Sequence, residues 1–257
     1  MSKLQRVGLQ LRADLRIFVR NPAAVFFTAI LPVLFLCMFV AIFGNQRNAD
    51  GVRAATQQVP GFIGLAVVSA SFVALAIGLT SAREDGVLKR IRGTAAPPWL
   101  IFAGRIGTSI ASATIVTAML LAIGAIAFGV RIPTTTMPGL ITALVLGVFA
   151  FCGLGIAFTR AIPSQDAAPA MTNAVVLPLY FISGVFLPAG QLPSGLVTVA
   201  DLLPVKPFID ALIVAFDPRT TGAGIAGGDL AVLAGWGLVG LVFAVRFFAW
   251  TPRHQAE

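Results

Sequence analysis

The chain has 257 residues, 58% hydrophobic and 11% charged, with a mean hydropathy of +0.93. Soluble domains carry about 25% charged residues, so this chain lacks the polar surface to enclose a soluble core, and an integral membrane protein is the class that remains. The net charge of +8 does not indicate nucleic acid: the basic residues flank apolar runs and the aromatic residues lie inside them, which suits anionic headgroups rather than stacked bases.

In chain order, residues 3–20 come first. At about 100° per residue, Leu4, Val7, Leu11, Leu15 and Phe18 share one helical sector, with Arg6, Arg12, Arg16 and Arg20 opposite. Leu9 and Ile17 interrupt the polar face. The pattern predicts an amphipathic helix lying in the membrane interface; an unstructured basic tail is the alternative. Asn21-Pro22 then supplies a turn.

Six apolar runs follow, at about 24–44, 60–81, 100–129, 138–159, 167–188 and 229–250, each meeting the roughly 20 residues that a crossing requires. The first is longer than the apolar stretch of a signal peptide, and no small-x-small cleavage pattern follows it. Pro32 and Pro178 predict kinks in the first and fifth spans. Gly139, Ala143 and Gly147 form a small-residue stripe on the fourth, which marks a packed face. Cys37 and Cys152 sit mid-run and read as small hydrophobes, with no metal or disulfide spacing.

Between the second and third runs stands TSAREDGVLKRIRGTAAPPW, residues 80–99, with the polar loop at 82–98. Asp85 and Lys89 are four apart, a spacing that supports a short helix; Gly86 weakens it and Pro97-Pro98 ends it. Such a segment could be a stiff lever docking on a soluble partner, or simply a charged topological anchor.

Between the fifth and sixth runs, the external region 189–228 holds apolar pieces at 195–203 and 207–216, each about 14 Å long. They are too short to cross and too apolar for a solvated loop. A re-entrant pair of helices packed on protein fits, with a small external cap as the competing reading. Asp201, Lys206 and Asp210 lie in this region.

Six spans put both termini on one side. With a cytoplasmic N-terminus, that side holds Lys3, Arg6, Arg12, Arg16, Arg20, Arg83, Lys89, Arg90, Arg92, Arg105, Arg160, Arg246 and Arg253. The other side holds Arg47, Arg53, Arg131, Lys206 and Arg219: thirteen against five. This positive-inside bias places both termini and the charged loop in the cytoplasm.

The only histidine is His254, which removes Ser-His pairs and zinc-helix motifs from consideration. No phosphate-binding Gly-x4-Gly-Lys-Ser/Thr loop occurs. The central turns of the spans carry essentially no ionisable group of the kind that ion-driven transporters use. The six-span body therefore has a transporter's outline without a power source, and energy would enter mechanically from the cytoplasmic side.

AREDGVLKRIRGT after the second run and LPLYFISGVFLPAGQLPSGL in the fifth resemble the membrane subunit of type-2 ATP-binding-cassette (ABC) transporters, especially bacterial daunorubicin-resistance-type drug exporters. The resemblance extends over nearly the whole chain, as one transmembrane domain at 1–257. It implies two permease subunits, identical or paralogous, paired with two nucleotide-binding ATPase subunits. ATP and magnesium would be bound by those partners and not by this chain, and the membrane would be the bacterial cytoplasmic membrane. It also implies that Arg83, Glu84, Gly86, Leu88 and Arg90, with neighbouring Asp85 and Lys89, form a coupling segment at the ATPase. The interfacial helix would touch the same partner, and the fifth span and re-entrant pair would line and close the outer path. Val87 stands where the family commonly has a hydroxyl residue, and Thr94-Ala95-Ala96-Pro97 stands where it has a Thr-Pro pair; neither departure removes the charges.

The expectation is an all-α permease that exports an amphipathic drug or lipid-like molecule, in keeping with efflux and antibiotic resistance. Phe26, Phe35, Phe72, Tyr180, Phe181, Ser183 and Phe186 are candidate path residues, because aromatic walls with few polar groups suit such ligands. The alternatives are a polysaccharide or glycolipid exporter of the same superfamily and an intramembrane lipid-acting enzyme. The enzyme would have only Asp201 and Asp210 as catalytic groups.

Overall fold

A computed structural model of the chain describes residues 8, 12, 13, 16, 19–44, 46–47, 51–93, 99–186 and 193–248. Among the described residues, nine helices form the main body, α1 to α9 in chain order. They are α1 (Phe26–Phe43) and α2 (Ala54–Glu84), α3 (Val87–Arg92), α4 (Trp99–Phe128), α5 (Met137–Phe158), α6 (Ala167–Ile182), α7 (Ser194–Leu202), α8 (Val205–Phe216) and α9 (Gly227–Phe247). Among the described residues there is no β-strand; one isolated antiparallel bridge joins Arg47 and Arg53.

Five helices, α1, α2, α4, α5 and α9, are long and apolar enough to cross a membrane. The run expected at 167–188 is shorter than read. Its helix α6 has 16 residues, about 24 Å at 1.5 Å per residue. Gly184 at φ +86° turns the chain, a left-handed conformation that side-chained residues avoid. The two short apolar helices expected next stand at α7 and α8, parted at Leu203-Pro204. Of the expected interfacial helix, Gly8, Arg12, Ala13, Arg16 and Val19 are helical, and the Arg20 amide donates to the Arg16 carbonyl at 3.1 Å. Arg6 lies outside the described residues.

α2 is the axis of the bundle. Its 31 residues span about 46 Å, well beyond the roughly 30 Å of a hydrocarbon core. Every residue from Val59 to Val68 is buried, because α2 is apolar on all sides and is enclosed on all sides. α1, α4, α5 and α8 pack around it. The charged segment therefore begins later than the sequence suggests: Arg83 and Glu84 are still helical, and the loop opens at Asp85.

Two wide π turns occur in the long helices: Phe26–Ile30 opens α1, and Ser69–Val73 interrupts α2. The first closes just before Pro32, which has no amide hydrogen for the Thr28 carbonyl and whose ring would crowd it. The widened turn is how α1 accommodates the proline expected to kink it.

The small-residue stripe on α5 faces the protein. Ala143 is fully buried, the Gly139 amide donates to the Ala223 carbonyl at 2.9 Å, and a Cβ on Gly147 would collide with the Phe208 ring of α8. Phe208 in turn stacks edge-on to Phe151 at 5.5 Å. On the next face of α5, a Cβ on Gly240 of α9 would come within 2.6 Å of the Leu154 amide nitrogen, so the two backbones run nearly in contact.

Gly147→Ala should lower thermal stability in detergent, by about 1–3 kcal/mol for an overpacked site. Phe208→Leu in the same chain should recover part of the loss by making room for the added methyl group.

Candidate functional site

The charged elbow is built by the end of α2. The Asp85 amide closes on the Ser81 carbonyl at 2.9 Å and the Gly86 amide on the Arg83 carbonyl at 3.0 Å. Gly86, at φ +70°, then turns the chain into the six-residue α3. Leu88, 1% exposed, and Ile91 face the bundle core, while Asp85, Lys89 and Arg90 are exposed. The elbow thus has an apolar inner side and a charged outer side.

Arg83 belongs to the inner side. It is 1% exposed; its Nη1 donates to the Thr159 carbonyl at 2.9 Å and its Nη2 to the Ile162 carbonyl at 2.8 Å. Nε donates to Glu84 Oε1 at 2.7 Å, and the Glu84 side chain is itself only 7% exposed. Thr159 and Ile162 lie in the turn that leaves α5, where terminal carbonyls have no intrahelical donors and carry the negative end of the helix dipole. A guanidinium satisfies them with fixed geometry and opposite charge. Of the coupling residues expected from sequence, the structure presents Asp85, Lys89 and Arg90 outward and uses Arg83 and Leu88 to anchor the elbow.

The same turn leads into α6, whose far end is tied back to α2. Tyr180, 4% exposed, donates from its hydroxyl to the Leu65 carbonyl at 3.1 Å, and that hydroxyl lies 3.3 Å from Ser69 Oγ. These partners adjoin the α2 π turn, whose Ala70 carbonyl also accepts a hydrogen bond from Ser109 Oγ of α4 at 3.0 Å. Gly155 of α5 lets a second backbone approach: a Cβ there would stand 3.0 Å from the Phe72 carbonyl oxygen. Widened turns disturb regular helical bonding and often mark functional places in a helix; here side chains from two other helices supply the polar partners.

Beyond Tyr180 the candidate path residues divide. Phe35, Phe181 and Phe186 come together: Phe35–Phe186 centroids are 5.6 Å apart and Phe181–Phe186 5.3 Å. Phe39 and Phe62 complete the cluster, with Phe39–Phe62 at 5.4 Å and Phe35–Phe62 at 6.3 Å. These two were missed in the sequence, although the four-residue spacing of Phe35 and Phe39 is a signal that they share a helix face. Phe26 pairs instead with Phe27 at 5.4 Å near the start of α1. Phe72 pairs with Phe158 at 5.4 Å, away from the cluster.

Phe186 also borders a cavity of about 270 Å³, lined by Gln57, Gln58, Ser183, Asp210 and Arg219 among others. Ser183 is buried, and its hydroxyl donates to the Tyr180 carbonyl at 3.2 Å. Phe186 thus joins the aromatic cluster to a chamber whose lining mixes polar side chains with apolar ones.

Beside that chamber, Lys206 Nζ donates to Asp201 Oδ1 at 2.5 Å and to Asp210 Oδ2 at 2.7 Å. Burial alone would lower the lysine pKa, but the hydrogen bonds and charges of the two carboxylates raise it above its ordinary value. The ammonium stays charged and clasps α7 to α8 across the Leu203-Pro204 corner. Arg53 makes a comparable clasp on α4, where its Nη1 donates to the Phe128 carbonyl at 2.9 Å.

A family model described as ABC-2 type transporter matches residues 6–216 of the chain. No curated protein matches it.

Arg83→Met would leave the Thr159 and Ile162 carbonyls and the Glu84 carboxylate without their buried cation, a change worth about 3–5 kcal/mol of stability. The expected result is a lowered melting temperature together with faster labelling of a cysteine placed at Ala161. Arg83→Lys should restore little, since an ammonium does not reproduce the forked geometry.

Proposed function

The chain belongs to the ABC-2 type transporter family, and from that premise we propose that it is the permease subunit of an exporter driven by a separate ATP-binding-cassette ATPase. Membership makes it the membrane component of a transporter that works with such partners. The finer reading is that two copies of the ATPase serve two permease subunits, that ATP and magnesium are held by the ATPase, and that the cargo is an amphipathic drug or lipid-like molecule leaving a bacterial cell. The distribution of basic residues supports cytoplasmic termini and a cytoplasmic elbow. On this reading α6 is a sixth, short crossing, and α7 and α8 form a re-entrant pair that covers the outer end.

The observation that carries the proposal is the two-sided elbow. Exposed Asp85, Lys89 and Arg90 give a soluble partner a charged surface to grip, while buried Leu88 and the Arg83 hydrogen bonds leave the elbow no freedom to move alone. Force on α3 passes through Arg83 to the 159–162 turn and from there into α6. At its other end α6 carries Phe181, and the turn after it carries Ser183 and Phe186. The carried motion would reshape the aromatic cluster and the polar chamber together, moving a ligand from one to the other. The chain's part is mechanical and selective, with the chemistry of ATP in its partner.

Co-reconstitution with the cognate ATPase tests this. Asp85→Lys combined with Arg90→Glu should weaken docking and reduce permease-dependent ATP hydrolysis by roughly tenfold, equivalent to about 1.4 kcal/mol of lost docking energy. The ATPase assayed alone should be unchanged. Undiminished stimulation by the reversed elbow would overturn the proposal.

A further inference from the structure

A groove of about 550 Å³ lies between α5, α6 and α9 and shares no residue with the aromatic cluster or the polar chamber. Its walls include Leu154 and Phe158 of α5, Val176 and Leu179 of α6, and Val239 and Phe243 of α9. At one end stands Arg160, the only charged residue among the described residues of its lining; at the other, Leu203 and Pro204 of the α7–α8 corner meet Trp236. The Trp236 indole is engaged there, its Nε1 donating to the Leu202 carbonyl at 2.7 Å.

The depth of the groove follows from helix positions. Arg160 comes two residues after the end of α5, at the polar end of the bundle. α9 runs parallel to α5, with Gly139 beside Gly224 and Gly153 beside Gly240, so Arg160 is level with the C-terminal end of α9, and Trp236 lies eleven residues before that end, about 16 Å along its axis. A groove that starts at a helix end and closes near the helix middle has the depth of one leaflet, about half of a 30 Å core. It is apolar along its length and cationic at its mouth. A water-soluble ligand would meet no polar partner along these walls, whereas a hydrocarbon chain needs none.

We propose that this groove binds an anionic phospholipid, with an acyl chain between α6 and α9 and the phosphate on Arg160. A guanidinium has five donors, so a contact within the chain leaves donors for a phosphate, which it matches bidentately. In the orientation proposed above, the lipid comes from the cytoplasmic leaflet. The site itself rests on the groove and Arg160 and not on the transport reading. Arg160 lies between Thr159 and Ile162, whose carbonyls hold Arg83, so headgroup binding acts on the turn that anchors the elbow.

The test uses the full chain in nanodiscs, without ATPase or cargo, so its failure would not bear on transport. Trp99→Phe and Trp250→Phe leave Trp236 as the sole indole, and phospholipids with brominated acyl chains quench it on contact. Brominated phosphatidylglycerol should reach half-quenching at a mole fraction about fivefold lower than brominated phosphatidylcholine, the preference that one basic residue gives at an anionic surface. Arg160→Gln should bring the two curves together and Arg160→Lys should keep them apart. Equal quenching by both lipids in the Trp236-only chain, or a preference that survives Arg160→Gln, would overturn the proposal. If the tryptophan variant does not fold, native mass spectrometry of retained phosphatidylglycerol on the unaltered chain and on Arg160→Gln gives the same comparison.

Discussion

A guanidinium taken out of water must find oxygen for its donors, and in this bundle that requirement joins two segments far apart in the chain. Arg83 lies in the last turn of α2, Thr159 and Ile162 follow α5, and the hydrogen bonds between them are buried. With little competing water, such charge-assisted bonds are short and strong. The elbow, the α5–α6 turn and the root of α6 consequently behave as one body. Leu88 contributes apolar contact to the same joint and leaves the outer face of α3 to charge.

The second tie, Tyr180 to the Leu65 carbonyl, matters because α6 is otherwise lightly held. The helix gives Val175, Val176 and Leu179 to the groove against α5 and α9 and Phe181 to the aromatic cluster, and is tied to α2 through the turn before it and through Tyr180 near its far end. A short helix pinned in this way can rock about its fastenings more readily than the close-packed α5 and α9, whose backbones meet at Gly153 and Gly240. Rigidity and mobility are thus assigned to different helices by residue size and by the placing of a few polar groups.

The positions of the long helices were legible in the sequence because hydropathy over 20 residues is a strong signal. Their facing was not. A span that is apolar all round gives no periodic cue, so Phe35 and Phe72 look alike in sequence although one belongs to the aromatic cluster and the other borders the lipid-sized groove. Charge pattern also groups Arg83 with Lys89 and Arg90, because a charge written in a loop-like block carries no mark of burial. Its partners are backbone carbonyls more than 70 residues away, which no side-chain motif announces. The short length of α6 was likewise masked, since residues after Gly184 continue the apolar composition while the backbone turns.

The wide turn at Ser69–Val73 sets a phase relation along α2. A π turn amounts to one residue more than a regular helix would use over the same distance. Deleting a single residue there would let the helix relax to an ordinary α-helix of the same length and phase, whereas deleting one from a regular turn of α2 would rotate everything below it by about 100° and draw it in by about 1.5 Å. In the second case Arg83 would aim away from its two carbonyls, and the outward charges of α3 would point in another direction. The gene for this protein therefore has one place along its central rod where an in-frame loss of three nucleotides would keep the lower half in phase, while the same loss in the regular turns around it would misdirect that half.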